Sequence, residues 1–348
     1  MQDIRKVSLS ELTSFVEAQN EPPYRAKQIY QWIWQKQVRS FAEMTNLSKK
    51  LRETLQQHFY FNLTHIAQSV VAQDGTVKFV FELFDGKKIE GVLIPTPNRM
   101  TACISSQVGC SLDCHFCATG RMKMLRNLES AEIVDQVVHI QKKALEIYQR
   151  PVTNIVFMGM GEPLLNYSNV VQAYHHLTNS QEMGIGSKRI TISTAGIAKG
   201  IKRLADDGIK AKLALSLHAP SDEKRSKIMS INTHNNLSTL QQALQYYYSK
   251  MKQYVTFEYV MLKDFNDTLE DAKELVKWCR KIPCKVNLIE YNETGTFKGS
   301  SPEKIKIFEQ YLLQHNIPTS IRRSRGKDIN AACGQLIIQD KNTVLKST

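Results

Sequence analysis

The sequence predicts an α/β protein whose main body is a partial, open (β/α)6 barrel, preceded by a small helical unit and a β-meander. Three observations lead there. Apolar residues first recur at helical spacing, then alternate with a period of two over residues 67–94, and after Thr101 strand and helix patterns take turns. Six strand–helix units in succession imply parallel strands, right-handed crossovers and helices on the outside. Six units are too few for the usual eight-fold closure, so the barrel is expected to stay open. Its site should lie at the C-terminal ends of the strands.

Residues 1–65 read as a helical accessory unit, with helical spacing over 10–18 and 24–37 and Pro22-Pro23 between them. In the second helix Ile29, Trp32 and Ile33 share a side, which predicts a core-facing tryptophan rather than a base-stacking platform. Over 66–95 a three-stranded meander is expected. Val77, Phe79, Phe81 and Leu83 alternate there, and Asp74-Gly75 and Asp85-Gly86 mark its turns. Residues 96–335 form the barrel, with strands expected over 101–106, 154–158, 189–193, 212–217, 255–262 and 285–290. A helix over 302–315 and a short strand near Ile321 follow, and 336–348 read as a C-terminal tail.

Composition narrows the function. Of 348 residues, 42% are apolar and 23% charged, as in globular domains generally. No run approaches the roughly 18 apolar residues of a membrane span, and the start, Met-Gln-Asp-Ile-Arg-Lys, has no secretory pattern. A cytoplasmic protein with no membrane partner is expected. Lys and Arg outnumber Asp and Glu by 46 to 33, a net charge of +13 that suits a phosphate-rich partner.

Seven cysteines stand at 103, 110, 114, 117, 279, 284 and 333. The odd count argues against a disulfide framework. Cys110, Cys114 and Cys117 follow the first barrel strand at spacings of four and three, which lets one loop ligate three irons of a cubane cluster. The fourth iron is left open to a small chelating ligand. Zinc would want a fourth ligand at matching spacing, and His115, between two of the cysteines, is badly placed to supply it. Cys279 and Cys284 match no motif and read as structural.

A three-cysteine loop after the first strand of a (β/α)6 pattern resembles the radical S-adenosylmethionine (SAM) enzymes. Met158-Gly-Met-Gly-Glu-Pro163 fits the same reading, with glycines that admit a ligand to the backbone and a carboxylate, Glu162, that can accept from an ammonium. More closely, the chain resembles the RlmN/Cfr family of adenine methyltransferases along nearly its whole length, from Asn20-Glu-Pro-Pro-Tyr-Arg25 to Asp328-Ile-Asn-Ala-Ala-Cys-Gly-Gln-Leu336. Cys103-Ile-Ser-Ser-Gln-Val-Gly-Cys110, Ile192-Ser-Thr-Ala-Gly196 and Ser216-Leu-His-Ala-Pro220 carry the match between those ends.

The resemblance implies a [4Fe-4S] cluster on Cys110, Cys114 and Cys117, and two SAM per turnover. It implies that Gly161, Glu162, Ser193, Ser216, Leu217, His218 and Asn292 contact SAM. Cys333 would take a methyl group from one SAM, and a second SAM would supply the radical that activates it. Glu90 would remove the ring proton, and Cys103 would resolve the adduct through a transient disulfide with Cys333. The implied substrates are C2 of adenine 2503 in 23S rRNA and C2 of adenine 37 in some tRNAs. An electron donor such as flavodoxin or ferredoxin is implied as well. Around Asn292 the sequence Glu290-Tyr-Asn-Glu-Thr294 departs from the family's common Trp-Asn-Pro.

Before Cys333, the run Arg322-Arg-Ser-Arg-Gly-Lys327 reads equally as a phosphate clamp or as a solvated charge run. Val108 stands where the C8-methylating branch of the family tends to carry Cys, which favours C2. A C8 methyltransferase, a radical SAM activase and a non-enzymatic iron–sulfur RNA-binding protein are the alternatives.

Overall fold

The structure is a computed structural model that describes residues 1–295 and 297–338. The expected tail, 336–348, lies outside the described residues from 339 onward. The helical unit contains β1 (Gln2–Asp3), α1 (Leu9–Ala18), α2 (Tyr24–Trp34), α3 (Lys49–His58) and β2 (Phe59–Tyr60), with β1 and β2 paired in parallel. A capping box between Ser8 and Glu11 starts α1. Only Leu51 and Leu55 are buried on α3, too short a stripe for the periodicity to announce it.

Trp32 packs against the edge of the core, as its helix face predicts, without being enclosed by it. Trp32 is half-buried, with the Lys36 ammonium 3.7 Å above its ring. Trp34 is the core residue, stacked on His176 with ring centroids 3.6 Å apart. A neighbouring barrel helix packs on the Trp34 flank of the Ala26, Ile29 and Ile33 stripe, and this decides which indole is covered.

The chain continues through β3 (His65–Val71), β4 (Val77–Glu82), β5 (Lys88–Thr96) and β6 (Arg99–Ile104), then the small pair β7 (Gln107–Val108) and β8 (Arg126–Asn127). The alternating part follows: α4 (Ser130–Tyr148), β9 (Asn154–Phe157), α5 (Tyr167–Thr178), β10 (Ile190–Thr194), α6 (Ala198–Asp206), β11 (Lys212–Ser216), α7 (Asp222–Ile228) and α8 (Leu237–Met251). It ends with β12 (Val255–Met261), α9 (Leu269–Cys279), β13 (Cys284–Glu290), α10 (Pro302–Gln314) and β14 (Thr319–Arg322). His176, the partner of Trp34, belongs to α5.

One sheet of ten strands runs β14-β13-β12-β11-β10-β9-β6-β5-β4-β3. From β6 through β14 all neighbours are parallel, so the predicted partial barrel is present, with β14 as a further parallel strand. The meander is antiparallel and continuous with it, because β5 pairs with β6. Its apolar face turns toward α4, where the Phe81 ring meets His139 at 5.9 Å.

Register decides what the opposite face carries. Lys78 pairs with Val92 and Val92 with Cys103, and Glu90 lies two residues before Val92, so Lys78, Glu90, Val92 and Cys103 share one face. The segment after β14 crosses that face. Gly326 N–H donates to Asp74 Oδ2 (3.1 Å), Lys78 Nζ to the Asn330 carbonyl (3.2 Å), and Ile337 N–H to Glu90 Oε2 (2.8 Å). No helix among the described residues is long and apolar enough to cross a membrane.

Candidate active site at the C-terminal ends of the strands

A single cavity opens where the parallel strands end. It is lined by Cys110, Cys114 and Cys117 from the loop after β6, Gly161 and Glu162 after β9, and Ser193 on β10. Ser216 and His218 from β11, Glu258 on β12, Asn292 after β13, Arg322 on β14 and Cys333 complete the wall. Residues separated by more than 200 positions thus face one space.

The three cysteines of the loop are thiols held close together. Burial pushes the Cys114 thiol well up, and the neighbouring Cys117 and Cys110 sulfurs add to the rise. Burial raises Cys117 as well. Thiols that oppose one another's ionisation in this way call for a cationic core between them. A cubane spreads its ligands over separate irons, and three thiols on one loop suit that arrangement.

Gly161 has φ +94°, and a Cβ there would meet Gln107 Cβ at 2.5 Å, so the turn admits only glycine. The buried Glu162 accepts from Leu164 N–H (3.0 Å) and Ala195 N–H (2.7 Å). Burial raises its carboxyl to about 7 against the lowering effect of those donors. Glu162 therefore braces two strand ends as well as facing the cavity, a role the sequence did not suggest.

His218 sits at φ +58° and accepts from Val260 N–H at Nδ1 (3.1 Å), which leaves the ring proton on Nε2. Burial and the nearby Arg225 guanidinium push it down to about 3, so it is a neutral imidazole. His218 is thus a hydrogen-bonded residue at a strand end whose side chain lines the cavity. Leu217 lies between the cavity-lining Ser216 and His218 with its own side chain fully buried.

Asn292 donates from Nδ2 to the Cys333 carbonyl (3.1 Å), and its buried Oδ1 has no partner. Glu258 Oε2 is likewise buried and accepts no hydrogen bond, with the Arg322 guanidinium 3.8 Å away. A buried acceptor without a donor on the cavity wall, Asn292 Oδ1, suits a ligand that brings donors, such as an ammonium. The departure from the family pattern here closes a local turn, in which Thr294 N–H donates to Tyr291 Oη (3.2 Å).

Cys333 is further secured by its neighbours, since Ala118 N–H donates to the Gly334 carbonyl and Thr119 Oγ1 to the Leu336 carbonyl, both at 2.6 Å. Cys103 lies behind the cavity lining, raised to about 12 by burial first and then by the charge of Cys333. Arg322 sits among these groups. Its protonated form is favoured by Cys333 first, against burial, and then by Glu258 and Cys103. Glu90 is fully buried rather than a surface carboxylate, with Oε1 2.7 Å from Lys78 Nζ.

The phosphate-clamp reading of the basic run is restricted by this geometry. Arg322 points at Glu258 (3.8 Å), Arg325 at Asp74 (3.8 Å) and Lys327 at Glu290 (3.3 Å). Arg323 is the exposed remainder. Sequence reasoning missed Glu258, Arg322 as a cavity residue, Thr119 and Arg225, whose partners lie on other strands and loops. Cys279 and Cys284 are buried and not disulfide-linked.

A parallel partial barrel whose first loop carries three convergent cysteines defines a radical SAM enzyme. Residues 104–279 match the radical SAM superfamily, and residues 2–61 match the ribosomal RNA large subunit methyltransferase N-terminal domain. The chain is 52% identical over 339 residues to the probable dual-specificity RNA methyltransferase RlmN of Cytophaga hutchinsonii, covering 97% of this chain and 93% of that one. It is 43% identical to the dual-specificity RNA methyltransferase RlmN of Geotalea uraniireducens, covering 96% of each. A crystal structure of a radical SAM methyltransferase from Sphaerobacter thermophilus superposes with a TM-score of 0.90 at 40% identity, covering 97% of this chain and 99% of that one. The chain belongs to the RlmN family of the radical SAM superfamily. Superfamily membership implies a [4Fe-4S] cluster and SAM.

Proposed function

We propose that this protein methylates C2 of an adenine in 23S rRNA, and of an anticodon-loop adenine in some tRNAs, by relaying the methyl group through Cys333. One observation carries the reading. Cys333 shares a cavity with the three-cysteine loop, and Cys103 stands near enough for the two thiols to sense each other's charge.

Cys110, Cys114 and Cys117 would hold the cluster. Gly161, Glu162, Ser193, Ser216, His218, Asn292 and the backbone of Leu217 would hold SAM. When bound, the cluster and SAM supply the one-electron chemistry that removes hydrogen from a methylthio group. Cys333 first accepts the methyl group as a nucleophile, which uses one SAM, and a second is consumed in activating it. Adenine C2, between two ring nitrogens, is too electron-poor to take the methyl group directly, so a carbon presented by the protein bonds to it. Glu90 takes the ring proton. The adduct's unpaired electron would pass back to the cluster, and Cys103 then attacks the Cys333 sulfur. The S–S bond forms as the S–C bond breaks, and the released carbon takes up the proton that the Cys103 thiol gives up, leaving the methylated product and a transient disulfide.

Residues 1–65 form the RNA-binding accessory domain in this reading, and 66–95 a linking meander onto the barrel of 96–335. The protein acts in the cytoplasm and is reduced by a donor of the flavodoxin or ferredoxin class. Anaerobic reconstitution with iron and sulfide, followed by SAM, reductant and rRNA, should yield 2-methyladenosine in digested RNA. Finding 8-methyladenosine alone would overturn the C2 assignment in favour of the C8 branch.

A further inference from the structure

Arg225, on α7, is fully buried. Its guanidinium donates to four groups, all neutral: the carbonyls of Leu217 (3.2 Å), Ser216 (3.3 Å) and Ala195, and Asn232 Oδ1 (2.8 Å). The other buried arginine differs: Arg5 meets Asp135 at 2.7 Å, as the half-buried Arg126 meets Glu132 at 2.8 Å. Among the described residues Arg225 forms no ion pair with a carboxylate. The ionisable groups that act on it are the Cys114 sulfur first and Asp222 second. Asp222 Oδ1 is itself held by Asn232 Nδ2 (3.0 Å) and Leu237 N–H (2.8 Å).

A buried cation with neutral partners alone is unfavourable, because dipoles replace lost water poorly and no opposite charge repays the transfer. The nearby Cys114 belongs to the three-cysteine loop, and that loop is anchored to the Arg225 helix. His115 N–H donates to the Ile228 carbonyl (3.0 Å), and the Ser230 hydroxyl bonds the Asp113 carboxylate. The missing anion is therefore one that arrives with the loop's occupant.

We propose that Arg225 is the built-in countercharge of the iron–sulfur cluster, a positioning residue that raises its reduction potential. The inference rests on the reading of the cysteine loop given above. Three thiolates outweigh the cubane core and leave it net negative. Reduction deepens that charge by one unit: a donor of the flavodoxin or ferredoxin class gives up one electron, the cluster gains it, and no proton or bond moves. A fixed cation beside one ligand favours the more negative state. The four carbonyl and amide contacts keep that cation in place without neutralising it.

The test is an EPR-monitored redox titration of the full-length reconstituted enzyme, with iron and sulfide content measured first. Arg225→Gln removes the charge and should make reduction at least tenfold less favourable, a midpoint about 59 mV more negative for a one-electron couple. Arg225→Lys keeps the charge and should stay close to wild type. Arg225→Met, a second neutral variant of similar bulk, should shift as the glutamine variant does. An unchanged potential in a fully loaded neutral variant, or an equal shift in the lysine variant, overturns the proposal. So does failure of both neutral variants to fold without the cluster when the lysine variant folds, because an uncompensated charge should be a burden to the apoprotein. Failure of the wild type to take up a cluster would instead sink the reading of the loop.

Discussion

Asn292 Nδ2 donates to the carbonyl oxygen of Cys333 at 3.1 Å, tying the loop after β13 to a residue 41 positions away. This bond sets where the Cys333 sulfur stands relative to the barrel mouth. Asn292→Ala would leave a partly buried carbonyl unpaired, at a local cost of about 1–3 kcal/mol. Single-turnover methylation is expected to fall roughly 5- to 100-fold, since 1.4 kcal/mol is tenfold, with the melting temperature little changed. A variant that methylates at the wild-type rate would show that the carbonyl contact does not position Cys333.

The nearness of Cys103 to Cys333 makes a sharper prediction. If Cys103 resolves the adduct, Cys103→Ala should accumulate protein covalently linked to RNA through Cys333, visible as a shifted band under denaturing conditions. Cys333→Ala should form neither the adduct nor an S-methyl group by intact mass. Clean turnover by Cys103→Ala would remove its role.

Glu90 is raised above the ordinary carboxylate range by burial, against the opposing pull of Lys78 and the Ile337 amide. Replacing Lys78 with Met takes away a lowering influence, so the carboxyl moves further up. A base must be deprotonated to act, and the acid limb of the pH–rate profile should therefore shift to higher pH. Lys78→Arg should restore the wild-type limb. An unmoved limb in Lys78→Met would detach Glu90 from proton removal.

Gly161 combines a left-handed backbone with a Cβ position 2.5 Å from Gln107. Gly161→Ala must move the turn that carries Glu162, at a cost of about 1–3 kcal/mol from overpacking alone. SAM binding, followed by calorimetry on the reconstituted protein, should weaken by at least about tenfold. Unaltered binding would mean that the turn does not shape the SAM site.

Thr119 bonds the Leu336 carbonyl across 217 positions. Thr119→Val should loosen the segment around Cys333, read as faster amide exchange over residues 332–338, with exchange in α4 unchanged. Equal protection in the two proteins would assign the closure of that segment to other contacts.

Much of this was legible before folding. The cysteine spacing is local chemistry, so three ligands on one loop can be read directly, as can Gly161 in its turn. The barrel strands fell within a residue or two of their predicted places, because apolar runs bounded by polar turns carry their own period. Helical spacing placed Trp32 on the core side but could not show that Trp34 would be the more deeply covered indole, because spacing identifies a face and not the neighbour that covers its edge. A run of matched residues did not reveal that the Leu217 side chain would be buried while Ser216 and His218 face the cavity. The charge run before Cys333 read as one unit, yet Arg322 turns inward while Arg325 finds a carboxylate in the meander turn at Asp74 and Lys327 one at the end of β13, Glu290.

By itself, then, the chain's order of residues determined a parallel partial barrel, a three-thiol loop and the residue types available to its site. Tertiary structure alone decided that Ile337 would meet Glu90 across 247 positions, that Cys333 would face the three-cysteine loop, and that Arg225 would be sealed in without a carboxylate. The physical reason is that spacing along a chain encodes periodicity and local reach. Burial, charge compensation and the approach of two sulfurs depend on which strands become neighbours, and that is settled only when the whole sheet has closed.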